Sequence, residues 1–300
     1  MSFKSIIKLM DIKTLVAGTI PVILGSIYSF YAFKKFNILY FILLIFAMIL
    51  IQSSTNMIND YFDFKRGADN GKSGNEKALI SGEITPKQVL FIIFIYEFIA
   101  SIIGIFIASQ TSYYILLVAV VGGIVSILYA FGPLPISYTP VGEAVSGVTM
   151  GIGITTTVIY IHSGVLTLNT VLVAVPTALF IGTILLSNNL SDLEEDRLVR
   201  RKTLPIIIGI KNAEKLWIFN VIGLLVLTVV LVVLHIYPVV ILAPVIVFFP
   251  YKSISNFLSY DKNANTKGKT MGLIGQVGLK YHLAVTAGLL ISILISSFIQ

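Results

Sequence analysis

The sequence predicts an all-α integral membrane protein with nine transmembrane helices. Of the 300 residues, 56% are hydrophobic and only 12% are charged, whereas a soluble domain has about 25% charged residues. The apolar residues fall into runs long enough for helices that cross a bilayer, which need about 20 residues. No linker or change of composition divides the chain, so we expect a single transmembrane domain over residues 1–300. This composition excludes a soluble or disordered protein, and the absence of Cys excludes disulfides and thiolate chemistry.

Nine apolar runs are candidate membrane spans. They cover residues 14–33, 37–58, 88–109, 112–131, 143–162, 168–189, 213–235, 237–256 and 280–299. The eighth run contains Pro244 and Pro250, so we expect this helix to be kinked or broken.

The lysines and arginines predict the orientation of these helices. With the N-terminus inside, all of the 21 basic residues except Lys34 and Lys35 fall in cytoplasmic segments. An excess of Lys and Arg in cytoplasmic loops is typical of multi-pass proteins. We therefore expect a protein of the cell membrane with a cytoplasmic N-terminus and an outside C-terminus. The net charge of +7 is then a consequence of orientation, and we predict no nucleic-acid partner.

An acidic motif ends the second span. At about 100° per residue, the side chains of Asn56, Asn59, Asp60 and Asp63 share one face of the helix. Carboxylate and amide oxygens suit Mg²⁺, which takes phosphate oxygens and water as its other ligands. The motif therefore predicts a Mg²⁺ site at the cytoplasmic end of this helix.

A second acidic motif ends the sixth span, with Asn188, Asp192 and Asp196 at i, i+4 and i+8. An even number of helices separates the two motifs, so their helices run in the same direction, and opposed motifs would enclose two metal ions. A single acidic patch is often only a solvated helix end. These acids, however, lie at helix C-termini, where the dipole disfavours negative charge, and the pattern occurs twice.

Basic residues follow both motifs: Arg66, Lys72 and Lys77 after the first, and Arg201 after the second. Acidic residues followed by basic residues suit a diphosphate that is held by Mg²⁺ and by Lys or Arg. Each base taken alone is equally explained by membrane orientation.

These motifs resemble those of the UbiA superfamily of intramembrane aromatic prenyltransferases. The branch that they look most like is the 1,4-dihydroxy-2-naphthoate polyprenyltransferases of menaquinone biosynthesis. The segments that carry the resemblance are 59–69, 77–86, 132–143 and 188–204. One position differs, because the branch usually has Gly where this chain has Arg200.

The resemblance implies a UbiA-like bundle that transfers a polyprenyl group from an allylic polyprenyl diphosphate to 1,4-dihydroxy-2-naphthoate. The carboxylate of the acceptor would leave as CO₂, which gives demethylmenaquinol. The implied Mg²⁺ ligands are Asn59, Asp60, Asp63, Asn188, Asp192 and Asp196, with Asp63, Asp192 and Asp196 as catalytic residues. The close alternative within the superfamily is another acceptor, of the 4-hydroxybenzoate, haem or chlorophyll type.

Three further residues are candidates for the acceptor site: Glu97, Tyr138 and Glu143. Glu97 lies in the middle of the third span, and an acid inside the membrane is a functional hypothesis by default. Its alternative role is a hydrogen bond to a neighbouring helix. A secondary transporter is the rival class of protein, but its polar groups should lie near the bilayer midplane, where only Glu97 is found.

Overall fold

A computed structural model describes residues 3–67, 78–263 and 265–299, and within these ranges the chain is helical without any β-strand. Lys72 and Lys77 lie outside the described residues. The helices of the first half are α1 (Phe3–Met10), α2 (Leu15–Phe33), α3 (Ile38–Arg66), α4 (Pro86–Gln110), α5 (Tyr114–Ala130), α6 (Gly142–Ser146) and α7 (Thr155–Ser163). A π-helix, Gly147–Ile154, joins α6 to α7.

The second half is also helical. Its helices are α8 (Leu168–Leu172), α9 (Val175–Ser191), α10 (Leu193–Leu198), α11 (Leu204–Ile208), α12 (Ile210–Val233), α13 (Leu242–Phe248), α14 (Tyr251–Ser259) and α15 (Lys267–Ile299). Short 3₁₀ turns lie at Ile12–Thr14, Ile136–Tyr138 and Val239–Ile241.

Eight helical segments of the described chain are long and apolar enough to cross a membrane. They correspond to eight of the nine predicted spans. The remaining predicted span, 112–131, corresponds to α5, an apolar helix of 17 residues. The count of nine transmembrane helices therefore stays a prediction, whereas a multi-pass helical membrane protein is confirmed.

Two helices are longer than the apolar runs that predicted them. The run 37–58 covers only part of α3, which continues to Arg66 through the first acidic motif, as the helical spacing of that motif predicts. The predicted start of the last span, residue 280, is wrong, because α15 begins at Lys267. Hydropathy marks only the part of a helix that lies in lipid, whereas the polar turns beyond it remain helical. At about 1.5 Å per residue, both helices are longer than a hydrocarbon core of about 30 Å.

The predicted break in the eighth span is confirmed, and Pro250 marks it. This proline separates α13 from α14, whereas Pro244 lies in the first turn of α13, where the missing N–H has no helical partner to lose.

Small residues bring the π-helix and α9 into backbone contact. A Cβ on Gly151 would lie 2.3 Å from the Ala178 Cα, and a Cβ on Gly147 would lie 2.6 Å from the Ala178 carbonyl oxygen. Small residues permit this close approach of helices in membranes. The contact fixes α6, which precedes the π-helix, beside the end of α9 that carries the second motif.

Two buried clusters position the ends of the long helices. The larger one joins α2, α9, α12 and α15, and at its centre the ring of Trp217 stacks on Phe257 with centroids 3.9 Å apart. A smaller cluster packs Leu9 of α1 against Met57 and Tyr61 of α3. The motif-bearing end of α3 is thereby held against the N-terminal helix.

Candidate active site

The two acidic motifs occupy helix ends that the sequence terminates in different ways. Asp63 lies in the last turn of α3, which Gly67 ends in the left-handed conformation with φ 66°, a conformation that suits glycine. Asp192 lies between α9 and α10, and Asp196 lies within α10. The backbone N–H of Asp196 still donates to the Asp192 carbonyl oxygen at 2.8 Å. The two aspartates therefore keep the helical i, i+4 relation across the helix break.

Arg201 joins the two motifs. Its Nη2 donates to Asp63 Oδ1 at 2.7 Å, and its Nη1 donates to Asp196 Oδ1 at 3.2 Å. The guanidinium is mostly buried, and so are both carboxylates. The expectation that the two motifs face each other is therefore confirmed, with a cation between them.

Lys267, at the start of α15, binds the remaining aspartate of the second motif. Its Nζ lies 2.6 Å from Asp192 Oδ2, an oxygen that also accepts from Asn188 Nδ2 at 3.1 Å. The other carboxylate oxygen, Asp192 Oδ1, is buried and has no hydrogen-bond partner among the described residues. We refer to Asp63, Asp192, Asp196, Arg201 and Lys267 as the charged cluster.

Sequence reasoning missed Lys267, which was counted only as an orientation charge. No signal in the sequence indicated it, because the predicted span began at residue 280, whereas α15 begins at Lys267. In the structure the side chain lies in the first turn of α15, where the helix dipole disfavours a cation, and the carboxylate of Asp192 offsets this.

Burial and charge pairing act in opposite directions within the cluster. Burial raises the pKa of Asp196 to about 6, although the neighbouring Arg201 lowers it. Burial alone would lower the pKa of Arg201, but the carboxylates of Asp63 and Asp196 raise it above its ordinary value. The guanidinium of Arg201 therefore stays a cation, and the pKa of Asp196 lies above that of an ordinary aspartate.

Tyr138 connects the loop before α6 to the cluster. Two guanidinium groups lie near its ring, with Arg201 at 4.5 Å and Arg66 at 5.2 Å from the ring centroid. The carbonyl oxygen of Tyr138 accepts from the Lys202 backbone N–H at 2.9 Å. Tyr138, a predicted acceptor-site residue, therefore also orients two of the predicted diphosphate-binding arginines.

Arg200 adopts a backbone conformation that glycine favours. Its φ is 60°, in the left-handed region that costs most residues about 1–2 kcal/mol and glycine little. The turn allows the Arg201 N–H to donate to the Asp196 carbonyl oxygen at 2.9 Å. The same backbone turn is thus made here without glycine.

Glu143 and Glu97 do not contact the charged cluster. Glu143 is buried in the first turn of α6, where its Oε1 accepts from Asn189 Nδ2 at 2.9 Å, and its buried Oε2 has no hydrogen-bond partner among the described residues. Glu97 lies on α4 beside Ser54 of α3. Ser54 precedes Asp63 by nine residues, or about 14 Å of helix, so the structure separates Glu97 from the motifs.

Asn59 and Asp60 lie half-buried about one turn before Asp63 on α3. With their side chains as they stand, no group of three or more acidic or imidazole residues in the described ranges is placed to hold a metal ion, because Arg201 and Lys267 occupy the carboxylates. The donor set nevertheless fits Mg²⁺, because it consists of oxygen ligands. The unpartnered Asp192 Oδ1 is an oxygen available to such an ion.

Comparison with known proteins identifies the family to which the chain is similar. The model of the UbiA prenyltransferase family matches residues 19–274 of this chain. The chain is 37% identical to the 1,4-dihydroxy-2-naphthoate octaprenyltransferase of Bacillus subtilis over 204 residues, which are 68% of this chain and 65% of that protein. The match therefore spans slightly less than two thirds of the length of this relative.

Solved structures with the same fold cover almost the whole chain. A UbiA homologue from Archaeoglobus fulgidus, solved with GPP and Mg²⁺ bound, has a TM-score of 0.66 at 16% identity and covers 94% of this chain and 99% of its own. A UbiA homologue from Aeropyrum pernix K1 has a TM-score of 0.70 at 14% identity, with 94% and 98% covered. At these identities the likeness establishes the fold.

Proposed function

Because this chain belongs to the UbiA prenyltransferase family, we propose that it transfers a polyprenyl group from an allylic polyprenyl diphosphate to 1,4-dihydroxy-2-naphthoate. The acceptor loses CO₂, and the product is demethylmenaquinol. The charged cluster is the observation that carries the proposal for the donor: three carboxylates of two motifs and two cations meet at one end of the bundle. The 37% identity to the Bacillus subtilis enzyme supports the choice of acceptor.

The chain's own residues hold the diphosphate end of the donor. Mg²⁺ held by Asn59, Asp60, Asp63, Asn188, Asp192 and Asp196 would neutralise the leaving diphosphate as a Lewis acid. Arg201 is held beside both motifs by Asp63, Asp196 and the Tyr138 ring, so its guanidinium is available to diphosphate oxygens once the metal takes the two carboxylates. Arg66 adds positive charge at the same end, and Lys72 and Lys77, which lie outside the described residues, stay predicted diphosphate-binding residues.

The apolar bundle supplies the dry surroundings that an allylic cation needs. The prenyl tail lies along lipid-facing helices, and exclusion of water protects the cation from hydrolysis. We place the acceptor ring near Tyr138 and Glu143, between the cluster and the close contact of α9 with the π-helix. Attack at the carboxylate-bearing carbon needs no base, because CO₂ departs in place of a ring proton.

The orientation belongs to the same proposal. We propose nine transmembrane helices with α5 as the shortest, a cytoplasmic N-terminus, an outside C-terminus and an active site facing the cytoplasm of the cell. The chain has no cysteine, so single cysteines can be introduced without background. A cysteine at Arg200 should react with impermeant reagent only from the cytoplasmic side, and one at Lys34 only from outside. Labelling of both from one side would contradict this orientation.

The deciding experiment uses 1,4-dihydroxy-2-naphthoate labelled in its carboxyl group, with a polyprenyl diphosphate and Mg²⁺ in detergent. We expect label to leave as CO₂ in step with prenylated product, and chelation of the metal to stop both. Retention of label in the product, or a preference for 4-hydroxybenzoate, would assign the chain to another acceptor. Absence of any prenyl transfer across a panel of aromatic acceptors would contradict the proposed activity.

A further inference from the structure

Lys267 enters the charged cluster from a segment that belongs to neither acidic motif. Its side chain is about one-third exposed and its Nζ lies 2.6 Å from Asp192 Oδ2. Lys269, two residues later, points elsewhere, with its Nζ 5.3 Å from the centre of the Tyr260 ring. Because both lysines lie in the disfavoured first turn of α15, the helix itself does not explain where Lys267 points. The carboxylate of Asp192 does.

The five groups of the charged cluster act as one electrostatic unit. Asp192 raises the pKa of Asp196 and Lys267 lowers it. Arg201 joins Asp196 to Asp63. Three carboxylates against two cations leave a single negative charge. Charges this close and this shielded from water interact strongly, so adding an ion of either sign changes the balance of the whole cluster.

We propose that Lys267 and Arg201 serve as counter-ions of the carboxylates in the substrate-free protein, and that both transfer to diphosphate oxygens when a divalent cation takes the carboxylates. This inference rests on the proposed function. A divalent cation alone would make the cluster positive and displace Lys267 and Arg201 without a new partner. A diphosphate alone would be repelled by the three carboxylates. With both ligands bound, the carboxylates pair with the metal, and Lys267 and Arg201 pair with diphosphate oxygens.

The consequence is positive coupling between metal and diphosphate. Coupling between two ligands is reciprocal and commonly amounts to about 5–150-fold in affinity. Lys267 contributes to it twice, because it competes with the metal in the free protein and attracts the diphosphate in the loaded one. It is thereby a donor-binding residue that neither motif contains. Arg201 has the same two effects, but it also joins the two motifs. A substitution of Lys267 therefore tests the coupling without separating the motifs.

The test measures binding, so that it does not depend on turnover. Mn²⁺ is titrated into the detergent-solubilised protein with and without inorganic diphosphate, and free Mn²⁺ is read by electron paramagnetic resonance. In the unaltered protein, diphosphate should tighten Mn²⁺ binding by about 5-fold or more. In Lys267→Met, Mn²⁺ alone should bind several-fold more tightly than in the unaltered protein, and the tightening by diphosphate should shrink. Lys267→Arg should restore the original pattern.

Lys269→Met is the matched control, because it removes a lysine from the same helix turn without touching Asp192. It should leave both titrations unchanged. A Lys267→Met variant that binds Mn²⁺ alone more weakly, or that keeps full coupling, would overturn the inference while leaving the proposed function intact. If the unaltered protein bound no Mn²⁺ with or without diphosphate, the metal-dependent function itself would fail, and this inference with it. A melting temperature for each variant confirms that folded protein is compared.

Discussion

The two ends of α3 carry polar clusters that are built in opposite ways. At its start, Asn37 donates its backbone N–H to His162 Nδ1 at 3.2 Å, and His162 Nε2 shares a hydrogen bond of 2.9 Å with Ser26. Phe36 stacks on the imidazole with centroids 5.4 Å apart. We refer to Ser26, Phe36, Asn37 and His162 as the histidine cluster. At the other end of α3, the charged cluster begins at Asp63.

The histidine cluster is neutral and satisfied, because Nδ1 accepts a backbone N–H and the ring proton on Nε2 is left to face Ser26. The charged cluster keeps two buried atoms without a partner in the described chain, Asp192 Oδ1 and Arg201 Nε, and it includes charges that oppose their helix dipoles. Buried polar groups are normally paired. The difference therefore separates a cluster that joins helices from one that is arranged to bind something further.

The largest effect should follow from removing one charge at the charged end. Asp192→Asn keeps the side-chain shape but removes a negative charge from the proposed metal and diphosphate site. We expect prenyl transfer to fall by about a thousandfold or more, which corresponds to about 4 kcal/mol in the barrier. Product formation by mass spectrometry measures it.

Glu194→Gln is the control for this variant, because Glu194 is an exposed acid two residues away that pairs with Arg197 one turn on. Its effect should be small, since such surface pairs contribute little. Near-normal turnover of Asp192→Asn would mean that the charged end is as purely structural as the histidine end.

The opposite result is expected at the other end of α3. His162→Ala leaves the buried Ser26 hydroxyl without its partner, at a cost of about 1–3 kcal/mol, and it also removes the acceptor of the Asn37 N–H and the ring on which Phe36 stacks. We expect stability to fall by about 2–4 kcal/mol, while the rate per folded molecule stays near normal. Thermal unfolding in detergent and turnover below the transition measure the two effects. His235→Asn, at an exposed histidine, should change neither; a specific loss of rate in His162→Ala would erase the distinction between the two ends.

The pH dependence of stability should come from the charged end. The folded pKa of Asp196, about 6, is above its ordinary value of about 3.9. Protonated Asp196 therefore stabilises the folded protein fully below about pH 4, and this stabilisation is lost as the pH rises through 6. The loss amounts to about 1–3 kcal/mol. This loss should lower the melting temperature of the unaltered protein between pH 4 and 7. That part of the decrease should be absent in Asp196→Asn. Identical pH profiles for the variant and the unaltered protein would contradict the assignment.

The smallest effect concerns the backbone beside the charged cluster. Arg200→Gly relieves the left-handed conformation at φ 60° and should stabilise the protein by about 1 kcal/mol. Arg197→Gly, inside α10, should instead destabilise it by a similar amount, because glycine weakens a helix interior. Melting temperatures compare the two. Destabilisation by both would show that the Arg200 side chain contributes more than its backbone costs.

Much of the charged cluster could be predicted because its acids follow a helical period. The spacing of Asn188, Asp192 and Asp196 sets their shared face regardless of the rest of the fold. Lys267 could not be placed in this way, since it lies 75 residues from Asp192 in sequence and only tertiary packing joins them. The position of Glu143 depends equally on the backbone contact made by Gly151, which periodicity does not reveal.

Helix limits were predicted well where lipid sets them and poorly where protein does. The ends of α2 agree with the predicted span 14–33 within one residue at its start. The first turns of α15 are rich in glycine and lysine, so hydropathy gave no signal there. The same holds for the last turns of α3, where acids and bases alternate with aromatic residues.

The excess length of α3 and α15 has a consequence for the lipid environment. Their 29 and 33 residues give lengths of about 43 and 50 Å, and we expect the ends that carry Asp63 and Lys267 to extend past a hydrocarbon core of about 30 Å. The charged cluster is therefore held by α3 and α15 at a fixed expected distance from the acyl chains. Longer acyl chains thicken the bilayer and bring its boundary closer to these groups, so hydrophobic mismatch becomes a means by which membrane composition acts on donor binding.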